Sequence, residues 1–441
     1  MIPLLHFFQD PILTASTLGT MLMGLASSLV GVLVYVRKRA LIGETLSHAT
    51  YPGIVLGIGV FSIFFDHSPL IFPIVVLLGA FVSGFLGIYV IYYLESKLSL
   101  NSDTALCFVL STFLGVGVLL ASKLQFSEPV WFQRVQALLY GQTATMLTVH
   151  VYIYAVLAFV ISVYILLLYS PLKIIHFDYD FAKVLRIFIK PIEFFTLILL
   201  VFAIVIGIRS VGVVLMAGML IAPAAAARQF VRKFWQMFVL SSFFGVGIGF
   251  LGLVFSVNGS IWFQEKYGQK ISLPAGPIIL IIATLIVLFA LIFERKRGLI
   301  SRIIRRNQFK MNCVEENILK FLSKSLNKVH FSDLREVVHL SIPVLWGVLT
   351  MMKLKKLVAE SDGFYLTKDG NIKAMQIIRL HRLWEVYLFK CLDVQRENVH
   401  KSAEEMEHII TPELEEELTE LLGDPKKDPH DQIIPRKEGL S

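Results

Sequence analysis

Of the carboxylate and imidazole side chains that lie four residues apart in this 441-residue chain, those in two distant parts stand out. The first pair is Glu44 and His48, within GETLSHATYPG. On a helix, positions i and i+4 share a face, so the two side chains stack. The other pairs crowd near the end: His381 with Glu385, His400 with Glu404, and Glu404 with His408, with Glu407 beside the last. Glu316, well upstream, is a further candidate to join them. Carboxylate oxygen and neutral imidazole nitrogen form a ligand set for Mn²⁺, Fe²⁺ or Zn²⁺. Without a thiolate, the later set favours Mn²⁺ or Fe²⁺ over structural zinc. Spacing alone leaves plainer readings open. Glu44 would then sit in a membrane interface while His48 makes an internal hydrogen bond. Each later pair would be a solvated helix face, where such pairs are common stabilisers.

The surroundings of the two groups differ. Hydrophobic residues make up 56% of the chain and the mean hydropathy is +0.70, which excludes an ordinary soluble protein. Charge divides unevenly. Residues 1–310 hold 23 Lys and Arg against 11 Asp and Glu, whereas residues 311–441 hold 18 against 22. The junction Glu294–Lys310, ERKRGLISRIIRRNQFK, carries seven Lys and Arg. A basic cluster directly after an apolar segment marks a cytoplasmic membrane face. The basic balance therefore belongs to membrane-facing loops and does not imply nucleic acid. Cys107, Cys313 and Cys391 form no CxxC, which argues against a disulfide framework or a zinc ribbon. The start, MIPLLHFFQDP, lacks a basic region before its apolar stretch and is not expected to be a cleaved signal peptide.

A helical span needs about 20 apolar residues. Nine candidates lie near 11–36, 46–65, 69–94, 104–122, 145–169, 191–208, 211–226, 236–257 and 273–293. Basic groups follow the first, fifth, seventh and ninth: Arg37-Lys38-Arg39, then Lys173 to Lys190, then Arg228, Arg232 and Lys233, then the junction. Alternation puts all four on one side, the cytoplasm, with the N-terminus outside. Glu44 and His48 thus open the second span, where an ionisable pair costs roughly 2–4 kcal/mol unless it faces a cavity or a partner. Gly53 and Gly57 form a GxxxG, which predicts close helix packing. Asp103 reads as a helix N-cap or first-turn acid of the fourth span. Ala225 to Phe234 reads as a short amphipathic helix on the cytoplasmic side. No stretch reads GxxxxGK[ST], so a pore driven by ATP needs its ATPase on another polypeptide, and the chain itself is expected to be no enzyme.

The part after the junction reads helix, helix, turn, helix, hairpin over Met311–Gly370. Ser332 is the expected cap of the second helix and Ser341 that of the third, with Pro343 in its first turn. Ser361-Asp362-Gly363 would turn a short hairpin. Three helices and a β-wing make a winged helix-turn-helix, which binds DNA or serves as a plain interaction module. Ser341, Thr350, Lys353, Lys355 and Lys356 are the candidate phosphate or base contacts. The tail Asp424–Ser441 is expected to be extended, with no room for a third domain. The expected fold is an all-α polytopic membrane protein followed by this soluble half. The expected divisions are a transmembrane domain over 1–294, a basic cytoplasmic linker over 295–311, a winged helix-turn-helix over 312–374, and a helical metal-binding and dimerisation domain over 375–441.

GETLSHATYPG, HFDYDFAKVLRI and VGVVLMAGMLIAPAAAARQF together resemble the permease subunits of bacterial ABC importers for manganese, zinc or iron, across about 10–295. The resemblance implies a paired permease, homodimeric or heterodimeric, a cytoplasmic ATPase and an extracytoplasmic metal-binding protein. It places Glu44 and His48 on the metal path and the ATPase-coupling segment at Ala225, Arg228, Gln229 and Arg232. The family often shows Asp where this chain has Glu44. IRLHRLWEVYL, VHKSAEEMEHIITPELEEEL and DPHDQIIP resemble the metal-dependent repressors that include iron- and manganese-responsive members, across about 312–435. That resemblance implies an ancillary metal site at His381, Glu385 and His400, and a primary site at Glu404, Glu407, His408 and Glu316. Two departures stand out. Val344-Leu345-Trp346-Gly347 replaces the small polar residues of the family's recognition helix, and Leu319 stands where manganese-type members place an acid.

These readings lead to one expectation: a metal-importer permease of the bacterial inner membrane fused to a cytoplasmic repressor. Fe²⁺ or Mn²⁺, with Zn²⁺ as a third candidate, would be both substrate and corepressor. Operator DNA and membrane lipid would be partners, and cleavage within about 297–312 would free the repressor. The alternative is a soluble half that gauges metal, inhibits transport and never touches DNA.

Overall fold

The computed structural model describes residues 3–64, 71–141, 143, 146–268, 273–294, 298–325, 328–392 and 412–436. The chain forms two compact units, Met1–Ser301 and Arg302–Ser441.

The first unit contains α1 (Pro11–Val36), α2 (Leu41–Phe64), α3 (Phe72–Ser96), α4 (Ser102–Ser127), α5 (Pro129–Tyr140), α6 (Thr148–Leu167), α7 (Tyr169–Phe177), α8 (Tyr179–Val184), α9 (Ile189–Val211), α10 (Val213–Phe230), α11 (Phe234–Tyr267) and α12 (Ala275–Phe293). Among the described residues, eight are long and apolar enough to cross a membrane: α1 to α4, α6, α9, α11 and α12. The shorter α10 falls where the seventh of nine spans was expected. Its 18 residues reach about 27 Å at 1.5 Å per residue, close to the roughly 30 Å of a hydrocarbon core. The separate helix expected over Ala225–Phe234 does not form. Instead α10 continues through Pro223 to Phe230, breaks at Val231–Lys233, and α11 starts at Phe234. The alanine run Ala224–Ala227 favours helix and offers no stop signal.

Tight crossings organise the bundle. Gly53 of α2 and Gly79 of α3 meet so closely that a Cβ on either would strike the other's backbone carbonyl, which is the close packing a GxxxG allows. Gly24 of α1 and Gly245 of α11 meet in the same way. Leu33, Leu46, Ile58, Tyr154 and Leu200 lie inside, while Leu119, Phe159 and Phe243 face outward, as lipid contact permits. Arg37 pairs with Glu193 of α9 at 2.7 Å, and Arg39 with Glu95 of α3 at 3.3 Å.

The second unit contains α13 (Leu299–Lys324, which begins just before it), α14 (Phe331–Val338), α15 (Ile342–Leu354), β1 (Val358–Glu360), β2 (Phe364–Leu366), α16 (Lys368–Cys391) and α17 (Pro412–Leu422). The expected linker is already helical from Leu299, because Leu, Ile, Arg and Lys favour helix and neither Gly nor Pro follows Gly298 before the helix ends. Helices α14 and α15 meet at 108°, the angle of a helix-turn-helix. The turn between them uses His339 at φ +50°. At 8 and 13 residues they are too short to span, and their bend excludes one joint span. The cap of α14 is His330 rather than Ser332: Asp333 reaches back to accept the His330 N–H, and Ser332 sits inside the helix. Ser341 does hold the cap position of α15, though its hydroxyl makes no capping bond. Strands β1 and β2 pair antiparallel, Val358 with Leu366 and Glu360 with Phe364, around a turn in which Asp362 and Gly363 have positive φ. Ile318, Leu319, Leu334, Leu345, Met352 and Phe364 fill the core. The described part of the tail expected to extend, up to residue 436, folds back: Lys427 bridges Ile433, and Ile434 packs on Leu383 and Val386. Buried Arg379 explains this, since it needs partners and takes Glu415 at 3.1 Å and the Pro435 carbonyl at 2.7 Å.

Candidate functional site

Helix α2 starts at Leu41, which puts Glu44 in its first turn, exposed, and His48 one turn deeper, buried. Gly43 holds that turn against Leu220 of α10. The His48 Nδ1 is buried and has no hydrogen-bond partner. Leaving such an atom unpaired costs about 1–3 kcal/mol. An unpartnered imidazole nitrogen one turn below an open carboxylate is suited to passing a divalent cation from oxygen to nitrogen.

Spacing missed a third polar group. A cavity of about 130 Å³ is lined by His150 and Tyr154 of α6 and Arg209 of α9, among apolar neighbours such as Ile54 and Val205. Among the described residues, the buried Arg209 Nε has no partner. The available signal was Arg209 itself, a lone cation ending the apolar run VFAIVIGIRSV; such residues mark function by default. The four residues expected to couple to an ATPase lie on the last turns of α10 and the break after it. Arg228 donates to the Val231 carbonyl and Gln229 to that of Ala225, each at 3.4 Å, while Arg232 is exposed.

In the second unit, α16 carries His381 and Glu385 one turn apart, both buried, with Nε2 and Oε1 at 3.1 Å. From α13, the buried Lys320 reaches the other ring nitrogen, Nζ to Nδ1 at 3.3 Å. Glu316 is half-buried on α13, one turn before Lys320. His400, Glu404, Glu407 and His408 lie outside the described residues. Among the described residues, no three His, Cys, Asp or Glu side chains gather to hold a metal. The neighbour of Glu316, Glu315, is buried and accepts from Lys355 and Lys373 at 2.6 Å each. Burial pushes its carboxyl pKa up, but the two ammonium hydrogen bonds outweigh that and hold it below the ordinary value.

The candidate DNA contacts are partly committed. Lys355 serves Glu315, Lys353 pairs with Glu360, and the Thr350 hydroxyl donates to the Trp346 carbonyl at 2.8 Å. Lys356 is exposed just beyond α15. The open face of α15 is apolar, with Trp346, Met351 and Leu354 at 52%, 53% and 80% exposure.

Residues 9–294 match the family model of the ABC 3 transport family, and residues 367–436 that of the iron dependent repressor, metal binding and dimerisation domain. A probable metal transport system membrane protein of Chlamydia pneumoniae is 36% identical over 446 residues, covering 98% of each chain. The zinc transport system membrane protein TroC of Treponema pallidum is 34% identical over 69% of this chain and 96% of its own. The manganese transport system membrane protein MntC of Bacillus subtilis is 29% identical over 84% of this chain and 82% of its own. A chain of PsaBC from Streptococcus pneumoniae, solved with a Fab, shares the fold at TM-score 0.55 and 24% identity, covering 69% of this chain and 98% of that one. A multi-pass bundle with its ionisable pair at a helix entrance, matched over 9–294 and along a full-length relative, places the chain in the ABC 3 transport family, as a membrane permease subunit that also carries an iron-dependent-repressor-type domain.

Proposed function

We propose that the permease half imports a divalent metal, Mn²⁺, Zn²⁺ or Fe²⁺, through the bacterial cytoplasmic membrane, with Glu44 and His48 lining its path. The observation that carries this is the free, buried Nδ1 of His48 one turn below exposed Glu44 on α2. The names of the relatives support manganese and zinc. The N-terminus lies outside and the second unit in the cytoplasm, which sets the basic groups after α1, α10 and α12 on the inner face. A cytoplasmic ATPase docks at Ala225, Arg228, Gln229 and Arg232, an extracytoplasmic protein delivers the metal, and a second permease subunit, identical or homologous, completes the pore. Uptake of radiolabelled Mn²⁺ into vesicles with the partner subunits tests the path. Glu44→Gln and His48→Ala should abolish it; uptake at the unmodified rate removes both residues from the path.

The second unit we read as a repressor that binds operator DNA as a dimer when loaded with Mn²⁺ or Fe²⁺, and that is freed by cleavage within about 297–312. The resemblance proposes Glu316, Glu404, Glu407 and His408 as primary ligands and His381, Glu385 and His400 as ancillary ones; when bound, the ion would supply positive charge that draws these acids together. A gel shift with and without metal decides it, and no binding under any metal ends the repressor reading. A second reading, a gauge that inhibits transport when the cell is replete, draws support from the committed Lys353 and Lys355 and the apolar face of α15. Metal inhibition of transport that survives deletion of residues 311–441 would exclude the gauge.

A further inference from the structure

The buried pair His381–Glu385 can be read in two ways, as metal ligands or as partners of a lysine. Its N–O separation of 3.1 Å is one that two ligands of a single ion can have, so the separation does not decide. Lys320 does. Its ammonium lies 3.3 Å from Nδ1, and an ammonium has only donors. Nδ1 must therefore accept, which leaves the ring proton on Nε2, where it is donated to the Glu385 carboxylate. A metal on Nε2 needs that nitrogen's lone pair, so the proton would have to move to Nδ1 and meet the ammonium donor to donor. All three residues are buried: Lys320 is 9% exposed, His381 4% and Glu385 2%. Lys320 places a positive charge on the far side of the ring from the carboxylate, the kind of partner that a buried charge requires.

We infer that Lys320 is a resident cation: Lys320, His381 and Glu385 form a metal-independent ion triad joining α13 to α16, and His381 and Glu385 are not metal ligands in this chain. The inference rests on the metal-sensing reading only in assigning bound metal to the remaining ligands. It also makes the contact between the helix that enters the second unit and the helix that follows the wing independent of metal supply.

The test is Mn²⁺ binding by equilibrium dialysis to the full-length chain in detergent, together with thermal unfolding in chelator. His381→Gln and Glu385→Gln should each leave the number of bound Mn²⁺ ions unchanged while lowering the unfolding midpoint. Loss of a bound ion in either variant overturns the inference. Lys320→Met keeps the length of the side chain and removes its charge. It should lower the midpoint in chelator, and Mn²⁺ should restore it as the pair becomes available to the ion. A folded Lys320→Met variant with an unchanged midpoint in chelator also overturns the inference. If no variant and no parent chain binds Mn²⁺, the sensing reading fails, and the unfolding midpoints alone decide the triad.

Discussion

Two adjacent acids on α13 differ in placement: Glu315 is buried and Glu316 half-buried. Glu316 was a candidate through the resemblance to metal-dependent repressors, whereas Glu315, which was not, takes the two lysines. Glu315→Ala should destabilise the second unit by about 1–3 kcal/mol, the cost of losing hydrogen bonds to a buried acceptor. Lys355 and Lys373, 41% and 40% exposed, remain hydrated, which keeps the loss moderate. Because the folded carboxyl titrates below its unfolded value of 4.5, this stabilisation is complete above that pH and is lost as pH falls through the folded value. Chemical unfolding of parent and variant at pH 7 and pH 4 measures both effects. His176, on α7 outside the spans, gives a pH dependence of the same sign that sets in at higher pH. Burial first, then the Arg37 guanidinium, pushes its pKa from 6.5 down to about 4. The unfolded chain therefore takes up the proton first. Stability is complete above about 6.5 and falls towards pH 4, by on the order of 3 kcal/mol. His176→Phe should flatten that decline in thermal unfolding, and an equally steep decline in the variant would assign it to other groups. Spacing reads partners along one helix, which is why His381 with Glu385 was legible. Lys320, 61 residues before His381 and on another helix, was not.

At the scale of elements, hydropathy and length carried most of the bundle, since a span must be both long and apolar. Two features escaped. Helix α5 is too short and too polar to stand out, although Trp131 stacks on Phe72 and lies under Arg134. The start of α13 was hidden by its charge, because seven basic residues in the junction read as a topology marker whether the backbone is coil or helix. GxxxG was legible because only glycine lets two backbones touch. Gly53→Leu should therefore force α2 from α3 and cost about 1–3 kcal/mol as overpacking. Gly59→Leu faces open space and should cost far less. Unfolding in detergent compares the two, and a loss at Gly53 no greater than that at Gly59 would show that the crossing does not set the effect.

At the scale of the whole molecule, a sensor built into a permease must reach its target. A DNA-binding unit held at a membrane meets only the DNA that comes to it, and two copies must match the half-site spacing of an operator. The proposed release would solve this, and α13 would constrain where it occurs. Arg302, Arg305, Arg306 and Lys310 all lie within the helix Leu299–Lys324, and a protease needs locally extended backbone, so cutting there requires the first turns of α13 to open. The rate of release should then follow helix stability in those turns. Asn307→Pro, which removes a helical N–H and clashes with the preceding turn, should speed the appearance of the C-terminal fragment. Asn307→Ala, which substitutes a better helix former, should slow it. Immunoblots of cells with an antibody to the C-terminus follow both. Equal rates in the two variants would move the cut to the residues before Leu299. A single full-length band in every strain would reject release and leave the gauge, which works without leaving the membrane, as the reading to pursue.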